Sequence, residues 1–146
     1  DLRVCTHLIL GFPGETGADI LDTPALLNRL AIDGVKLHNL HVIKHTPLAK
    51  LYEKEPFPLF TRAEYVSLVV DFLELLNPNM IVHRLTGETY RAITVAPQWS
   101  IDKIGVHNDI YKTLIDRNTW QGRLYANPVT SASAGAKFVY PEGARL

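Results

Sequence analysis

The chain of 146 residues has the length of about one domain, and its 47% hydrophobic content is typical of a globular protein. Fifteen Lys and Arg balance fifteen Asp and Glu, so there is no basic excess to neutralise a phosphate backbone, and nucleic acid is not expected as a partner. No run approaches the ~18 apolar residues of a membrane span. The single cysteine, Cys5, excludes an intramolecular disulfide and a Cys-only metal site, and it favours a reducing, cytoplasmic location.

The first predicted elements are a strand and the helix after it. Residues 4–10 are β-branched and aliphatic, and they stop at Gly-Phe-Pro-Gly (11–14), which is a turn signal. Thr16 is expected to cap the helix, with Asp19 three residues further on as a variant of the capping box. Pro24 lies inside the helical pattern and is expected to kink the helix or delay its regular start.

A second strand is predicted over residues 35–43, followed by a short helix that runs to the Pro-Phe-Pro break at 56–58. On a continuous strand, His38 and His41 are three residues apart and point to opposite faces. This spacing argues against a metal ion shared by the two imidazoles and favours core or barrel-lining histidines.

The second half of the chain predicts a helix, a strand and a last helix. Thr61 and Glu64 form a capping box at the start of a helix whose apolar residues recur at helical spacing up to residue 76. A third strand is predicted over residues 80–85, and Ser100 is expected to cap the last helix.

The alternation of strands and helices predicts an α/β architecture with parallel strands. Three strands are few for a parallel sheet, and the sequence begins abruptly, without Met, just before the first strand. We therefore expect further strands upstream or in another chain, and an exposed sheet edge that promotes self-association. Residues 1–125 are predicted to form the α/β unit, and the Ala-, Ser-, Gly- and Pro-rich residues 126–146 an extended or partly disordered tail.

The sharpest local signal is the Gly-rich turn between the first strand and its helix. Glycines let a backbone approach a ligand closely, and a helix N-terminus offers N–H groups to an anion. Ligands of open α/β folds collect at the carboxyl ends of the strands, where this turn lies. The alternative is a tight turn with a helix cap and no ligand.

The run Leu-Ile-Leu-Gly-Phe-Pro-Gly-Glu-Thr (8–16) resembles the fifth-strand segment of radical S-adenosylmethionine (SAM) enzymes of the Elongator-protein-3-like and MiaB-like branch. Residues 33–44, Thr-Pro-Leu-Ala (46–49), His-Arg-Leu (83–85) and Ala-Pro-Gln-Trp (96–99) are similar to a bacterial subgroup of iron–sulfur oxidoreductases. The resemblance spans about residues 2–125. It implies a partial TIM-type (β/α)6 barrel, of which this chain is the C-terminal half with about three parallel strands and a family-specific extension.

The resemblance also implies the cofactors, SAM and a [4Fe–4S] cluster held by a CxxxCxxC loop near the first barrel strand. That loop is absent from this sequence, so the cluster is expected in the full-length parent and the chain alone is expected to be inactive. In this resemblance Ile9 lies against the adenine of SAM and Gly11 lets the cofactor sit close. The same rim would be formed by Phe12, Pro13, Gly14 and Glu15. His7 shares the face of Ile9 by strand alternation and is included in the cofactor site.

Roles are also predicted for several other polar residues and for the cysteine. His38, His41 and Lys44 are candidates for the substrate side of the cavity, although no catalytic residue is assigned. Lys36 is expected to be a surface residue with an exposed head, and Arg84 to pair with Glu88 or a neighbouring carboxylate. Cys5 is expected to be a buried small hydrophobe.

Two other functions stay open at this point. One is a stand-alone half-barrel that binds a small ligand at the Gly-rich turn or interacts with another copy. The other is a mononuclear metal hydrolase built on the histidines, for which imidazole ligands suit zinc, iron or nickel.

Overall fold

A computed structural model describes residues 2–126, and the tail predicted over residues 126–146 lies outside the described residues except for its first position. In chain order the elements are β1 (Cys5–Leu10), α1 (Gly17–Arg29), β2 (Gly34–Asn39), β3 (Val42–Ile43), α2 (Pro47–Lys54), α3 (Arg62–Leu75), β4 (Ile81–Arg84), β5 (Thr94–Ala96), a short 3₁₀ helix (Gln98–Ile101) and α4 (Lys103–Asp116).

The main sheet consists of three parallel strands in the order β1-β2-β4. The pairing of β1 with β2 is regular, from Cys5 opposite Gly34 to Leu10 opposite Asn39. The pairing of β2 with β4 has a register shift between Val35 and Lys36. The parallel sheet with helical connections confirms the predicted α/β class.

Helices α1 and α3 pack against each other and cover one face of this sheet, while α4 packs on α3. The core joins Leu10 of β1 and the fully buried Val35 and Leu37 of β2 to the buried faces of these helices. Helix α3 contributes most: Tyr65, Val66, Leu68, Val69, Val70, Phe72 and Leu73 are buried. A helix that is apolar on so much of its surface requires cover on several sides, and α1, the sheet and α4 provide it.

The N-termini of α1 and α3 are capped as the sequence predicts, whereas the N-terminus of α4 is not. Thr16 with Asp19 and Thr61 with Glu64 both form complete capping boxes, as predicted. Helix α1 begins regularly at Gly17 and continues through the buried Pro24, so the expected delay of its start is wrong. Ser100 does not cap the last helix: it lies in the 3₁₀ helix, and Asp102 caps α4 by accepting a hydrogen bond from the Gly105 N–H at 3.0 Å.

The strand predicted over residues 35–43 is interrupted. Strand β2 ends at Asn39, and the chain turns at Leu40 and His41 before β3, which pairs antiparallel with β5 in a second, two-stranded sheet. Because β3 pairs with β5, it lies outside the main sheet, and the predicted strand of residues 35–43 is divided between two sheets. Strand β5 was not predicted, since three residues give no readable alternation.

Within residues 2–126, no helix has the length and apolar character needed to cross a membrane.

Candidate ligand site at the carboxyl edge of the sheet

The second face of the main sheet is open in the described part of the chain. On β1, Leu10 is buried and Thr6 and Leu8 are half-buried, whereas Cys5, His7 and Ile9 are exposed on the other face. The predicted alternation is therefore correct, but Cys5 is not a buried hydrophobe. It lies on the face that no helix of residues 2–126 covers.

A depression of about 280 Å³ lies where β1 and β2 end, and it is lined by His7, Ile9, His38, Asn39, Leu40 and His41. The rings of His7 and His38 stack with centroids 5.7 Å apart and planes inclined by 20°. The carboxyl ends of parallel strands are where α/β folds bind their ligands. The depression is therefore the candidate ligand site.

The structure brings His38 and His41 into the same depression. The prediction that they point to opposite faces is wrong because β2 stops at Asn39, so strand alternation no longer applies at His41. The Nε2 atoms of both imidazoles are buried and have no hydrogen-bond partner among the described residues. Buried polar atoms are normally hydrogen-bonded, so these two atoms are left unsatisfied by the described part of the chain.

The pKa values of His38 and His41 are both lowered, which favours the neutral imidazole. Burial lowers the pKa of His38, and the positive charges of Arg84, His7 and Lys36 lower it further. Burial also lowers the pKa of His41, with a smaller contribution from His38. A neutral imidazole has one N–H donor and one acceptor nitrogen, so each ring can accept or donate a hydrogen bond to a ligand.

A buried polar network ties the ends of β2 and β4 together beneath the depression. The Asn39 side-chain oxygen accepts hydrogen bonds from the Thr86 hydroxyl at 3.0 Å and the Gly87 N–H at 3.2 Å. The Tyr65 hydroxyl donates to the Leu85 carbonyl at 2.9 Å, and burial raises the pKa of that hydroxyl. Sequence reasoning missed Asn39, Thr86 and Gly87 as site residues.

Gly87 is required by the position of His41. A Cβ atom at residue 87 would lie 2.6 Å from the His41 ring. Because such a contact is far too short, a side chain at this position would push the imidazole out of its place. Glycine at this position therefore leaves room for the His41 ring at the edge of the sheet.

The side-chain carboxylate of Glu15 forms hydrogen bonds with the backbone of the Gly-rich turn. Glu15 accepts hydrogen bonds from the N–H groups of Gly11 at 2.7 Å and Phe12 at 3.2 Å, and Asp19 accepts one from the Thr16 N–H at 2.8 Å. These three N–H groups are therefore engaged within the turn, which favours the alternative of a tight turn with a helix cap at these positions.

Gly11 has a structural requirement of its own. Its φ of +94° lies in the region that favours glycine, and a Cβ atom there would approach the Phe60 ring to 2.9 Å. Gly14 also has a positive φ, of +85°, but no atom lies within 4 Å of where its Cβ would be. Phe12, Pro13 and Gly14 are exposed at the rim.

The basic side chains near the depression do not all have the contacts or positions predicted from the sequence. Lys36 lies opposite Arg84 in the register of β2 and β4, and both side chains are half-buried. Arg84 does not pair with Glu88, whose carboxylate contacts Lys103 at 3.5 Å instead. Lys44 donates to the Ala92 carbonyl at 2.8 Å and does not line the depression.

Two further observations restrict the site. A larger groove of about 510 Å³ lies between α3 and α4, but its charges are paired with each other, as in the Arg62–Asp109 and Lys112–Asp116 ion pairs.

Among residues 2–126, no group of three or more His, Cys, Asp and Glu is arranged to hold a metal ion. The metal hydrolase alternative therefore has no site in the described part of the chain.

Comparison of the fold and the sequence with known proteins defines the class. The structure of the chain matches a solved structure of the archaeal Methanocaldococcus infernus Elp3 with an N-terminal deletion, with a TM-score of 0.72 and 17% identity, over 82% of this chain and 28% of that chain. This likeness shows that the fold is the one found in that part of Elp3.

The model of the Radical_SAM C-terminal domain family matches residues 32–116, and the chain belongs to this family. It is 39% identical over 124 residues to the uncharacterized protein YtqA of Bacillus subtilis, covering 85% of this chain and 38% of YtqA. It is 36% identical over 125 residues to the uncharacterized protein MJ0486 of Methanocaldococcus jannaschii, covering 85% of this chain and 39% of that protein. The chain thus spans less than two fifths of the length of these relatives.

The two cofactors that the family implies fit the described residues differently. An apolar side chain exposed at the carboxyl end of β1, as Ile9 is, suits contact with the adenine of SAM. A [4Fe–4S] cluster takes cysteine thiolates as ligands, and Cys5 is the single cysteine of the sequence. The residues of this chain therefore do not fit the cluster.

Proposed function

We propose that this chain supplies the adenine-contacting strand and the substrate side of the cavity in a larger radical SAM enzyme. The parent would be a cytoplasmic iron–sulfur oxidoreductase that cleaves SAM reductively, with the cluster held by residues outside this chain. In this proposal the chain alone is inactive, since it lacks the cluster ligands.

The observation that carries the proposal is the position of Ile9. Its side chain is 47% exposed although it lies in a strand whose other face is in the core. It borders the depression at the carboxyl end of β1, beside His7 and His38. An apolar side chain held by a strand provides a fixed surface for the face of an adenine ring.

The residues around Ile9 have supporting roles in this proposal. His7 lies on the same face, Gly11 keeps the turn close to the strand end, and Glu15 holds that turn by its two backbone hydrogen bonds. Phe12, Pro13 and Gly14 form the exposed rim. His38 and His41 face the substrate side, where their Nε2 atoms have no partner in the described chain.

The test is the SAM affinity of an Ile9→Asp variant of the full-length protein, measured by isothermal titration calorimetry. A carboxylate removes the apolar contact, and burial of an isoleucine side chain is worth ~1.5–3 kcal/mol, so SAM binding is expected to weaken about 10- to 100-fold. The matched control is Ile104→Asp, an exposed residue of α4, which is expected to leave the affinity unchanged. Equal SAM affinity of Ile9→Asp and wild type would refute the role of Ile9.

A second candidate function is a stand-alone module that binds a small ligand and associates with another copy of itself. The observation in its favour is that β1 pairs only with β2 in the described chain, so its other edge is free to pair with a further strand. Sedimentation of the 146-residue chain would show a dimer if this edge joins two copies.

A further inference from the structure

The open face of the sheet carries positive charge without a counter-charge from residues 2–126. Lys36 and Arg84 lie opposite each other on neighbouring strands, and neither has an ion pair or hydrogen bond to another described residue. Both are close enough to His38 for their charges to act on its ring, and His7 stacks on that ring.

Three carboxylates on the loops that adjoin the sheet strands have other partners. Glu15 accepts from the backbone of the Gly-rich turn, and Glu88 contacts Lys103. Asp33 is at the opposite end of the strands, where its carboxylate accepts from the Val4 N–H at 2.7 Å. None of these three carboxylates forms an ion pair with Lys36 or Arg84.

This arrangement favours an anion as a partner. Like charges on neighbouring strands repel each other, and partial burial weakens the screening by water. An anion between them would remove the repulsion and would form charge-assisted hydrogen bonds, which are stronger than neutral ones. His38 and His41 line the depression beside the cluster, so their imidazole rings lie next to the same space.

We propose that Lys36 and Arg84, together with His38 and His41, bind a small-molecule substrate through an anionic group, a carboxylate or a phosphate. The inference rests on the proposed function, because it names the substrate class of the same cavity. Ile9 would contact the adenine of SAM, while these four residues would hold the charged end of the substrate.

The experiment measures anion binding to the full-length protein first without and then with saturating S-adenosylhomocysteine, which occupies the SAM carboxylate site. The probes are inorganic phosphate and succinate, which distinguish the two anionic groups, and calorimetry gives the affinity. The variants are Lys36→Gln and Arg84→Gln. Their controls are Lys50→Gln on α2 and Arg91→Gln, which make the same charge changes at exposed positions.

At least one probe is expected to bind, and each variant of the face is expected to weaken it at least about tenfold, since a charge-assisted hydrogen bond is lost. The controls should bind like wild type. Lys36→Arg and Arg84→Lys keep the charge and should retain more affinity than the Gln variants, which separates a loss of charge from a loss of folding.

Three outcomes would overturn the inference: neither probe binds, the controls lose as much affinity as the variants, or binding disappears when S-adenosylhomocysteine is present. The last would assign the cations to the SAM carboxylate. The proposed function is judged separately, by the SAM affinity of Ile9→Asp, so each idea can fail without the other.

Discussion

The two faces of the main sheet have opposite chemistry although the same strands form them. The covered face carries Leu10, Val35 and Leu37 and packs against α1 and α3. The open face carries exposed or half-buried polar side chains, among them His7, Lys36 and His38. Alternation along a strand is sufficient to produce this division, because successive side chains point to opposite sides.

The difference predicts which substitutions destabilise the fold and which, under the proposed function, weaken ligand binding. Residues on the covered face are held by packing, so the removal of a few methyl groups lowers the free energy of unfolding. Residues on the open face are less buried in the described chain, so their substitution is expected to affect stability less. A comparison of matched substitutions on the two faces tests this division.

The largest effect is expected from Leu37→Ala on the covered face. Leu37 is fully buried, and truncation of a buried leucine costs ~2–5 kcal/mol through lost burial and the cavity left behind. Ile9→Ala removes a side chain of the same size from the open face and should cost less than ~1 kcal/mol. Urea unfolding of both variants measures the free energies. Equal losses would show that Ile9 is covered in the protein.

A smaller effect is expected from Asn39→Ala, which removes the acceptor that joins β2 to β4. The Thr86 hydroxyl and the Gly87 N–H would be left without their partner in a buried position, at a cost of ~1–3 kcal/mol. Asn108→Ala, at an exposed position of α4, is the control and should change the free energy of unfolding by less than ~0.5 kcal/mol. A stability of Asn39→Ala equal to that of wild type would contradict the network.

The smallest and most gradual effect is expected from pH. Burial lowers the pKa of His38, His41 and His107 in the folded protein, so the unfolded state binds protons more readily. The stability is fully present above the unfolded value of about 6.5 and is lost as the pH falls through the lower folded-state pKa values.

Urea unfolding between pH 7.5 and 5 tests this sign, in steps of about half a unit. His41→Gln removes one of the three groups and should make the decrease shallower. A wild-type free energy of unfolding that rises on acidification over this range would contradict the prediction.

The sequence predicts the elements with strong local signals and misses those that depend on distant partners. Thr61 with Glu64 and Thr16 with Asp19 identify helix starts because a capping box is formed within four residues. The end of β2 at Asn39 was not predictable, since it depends on β3 pairing with a strand some fifty residues later. The error about His41 follows directly from that missed break.

The candidate site divides in the same way. The shared face of His7 and Ile9 follows from alternation within one strand and was predicted. The role of Asn39 as an acceptor for Thr86 and Gly87 joins residues far apart in the chain, and no local pattern indicates it. Arg84 was assigned to Glu88 by closeness in sequence, whereas folding brings Lys103 to that carboxylate.

The buried Asn39 network has a consequence for the thermodynamics of recognition. Because Asn39, which lines the depression, is already held by hydrogen bonds to Thr86 and Gly87, an incoming molecule meets a preorganised surface at this residue. Complex formation should therefore proceed with little induced fit in this half of the cavity, and the entropy lost on association should come chiefly from the ligand.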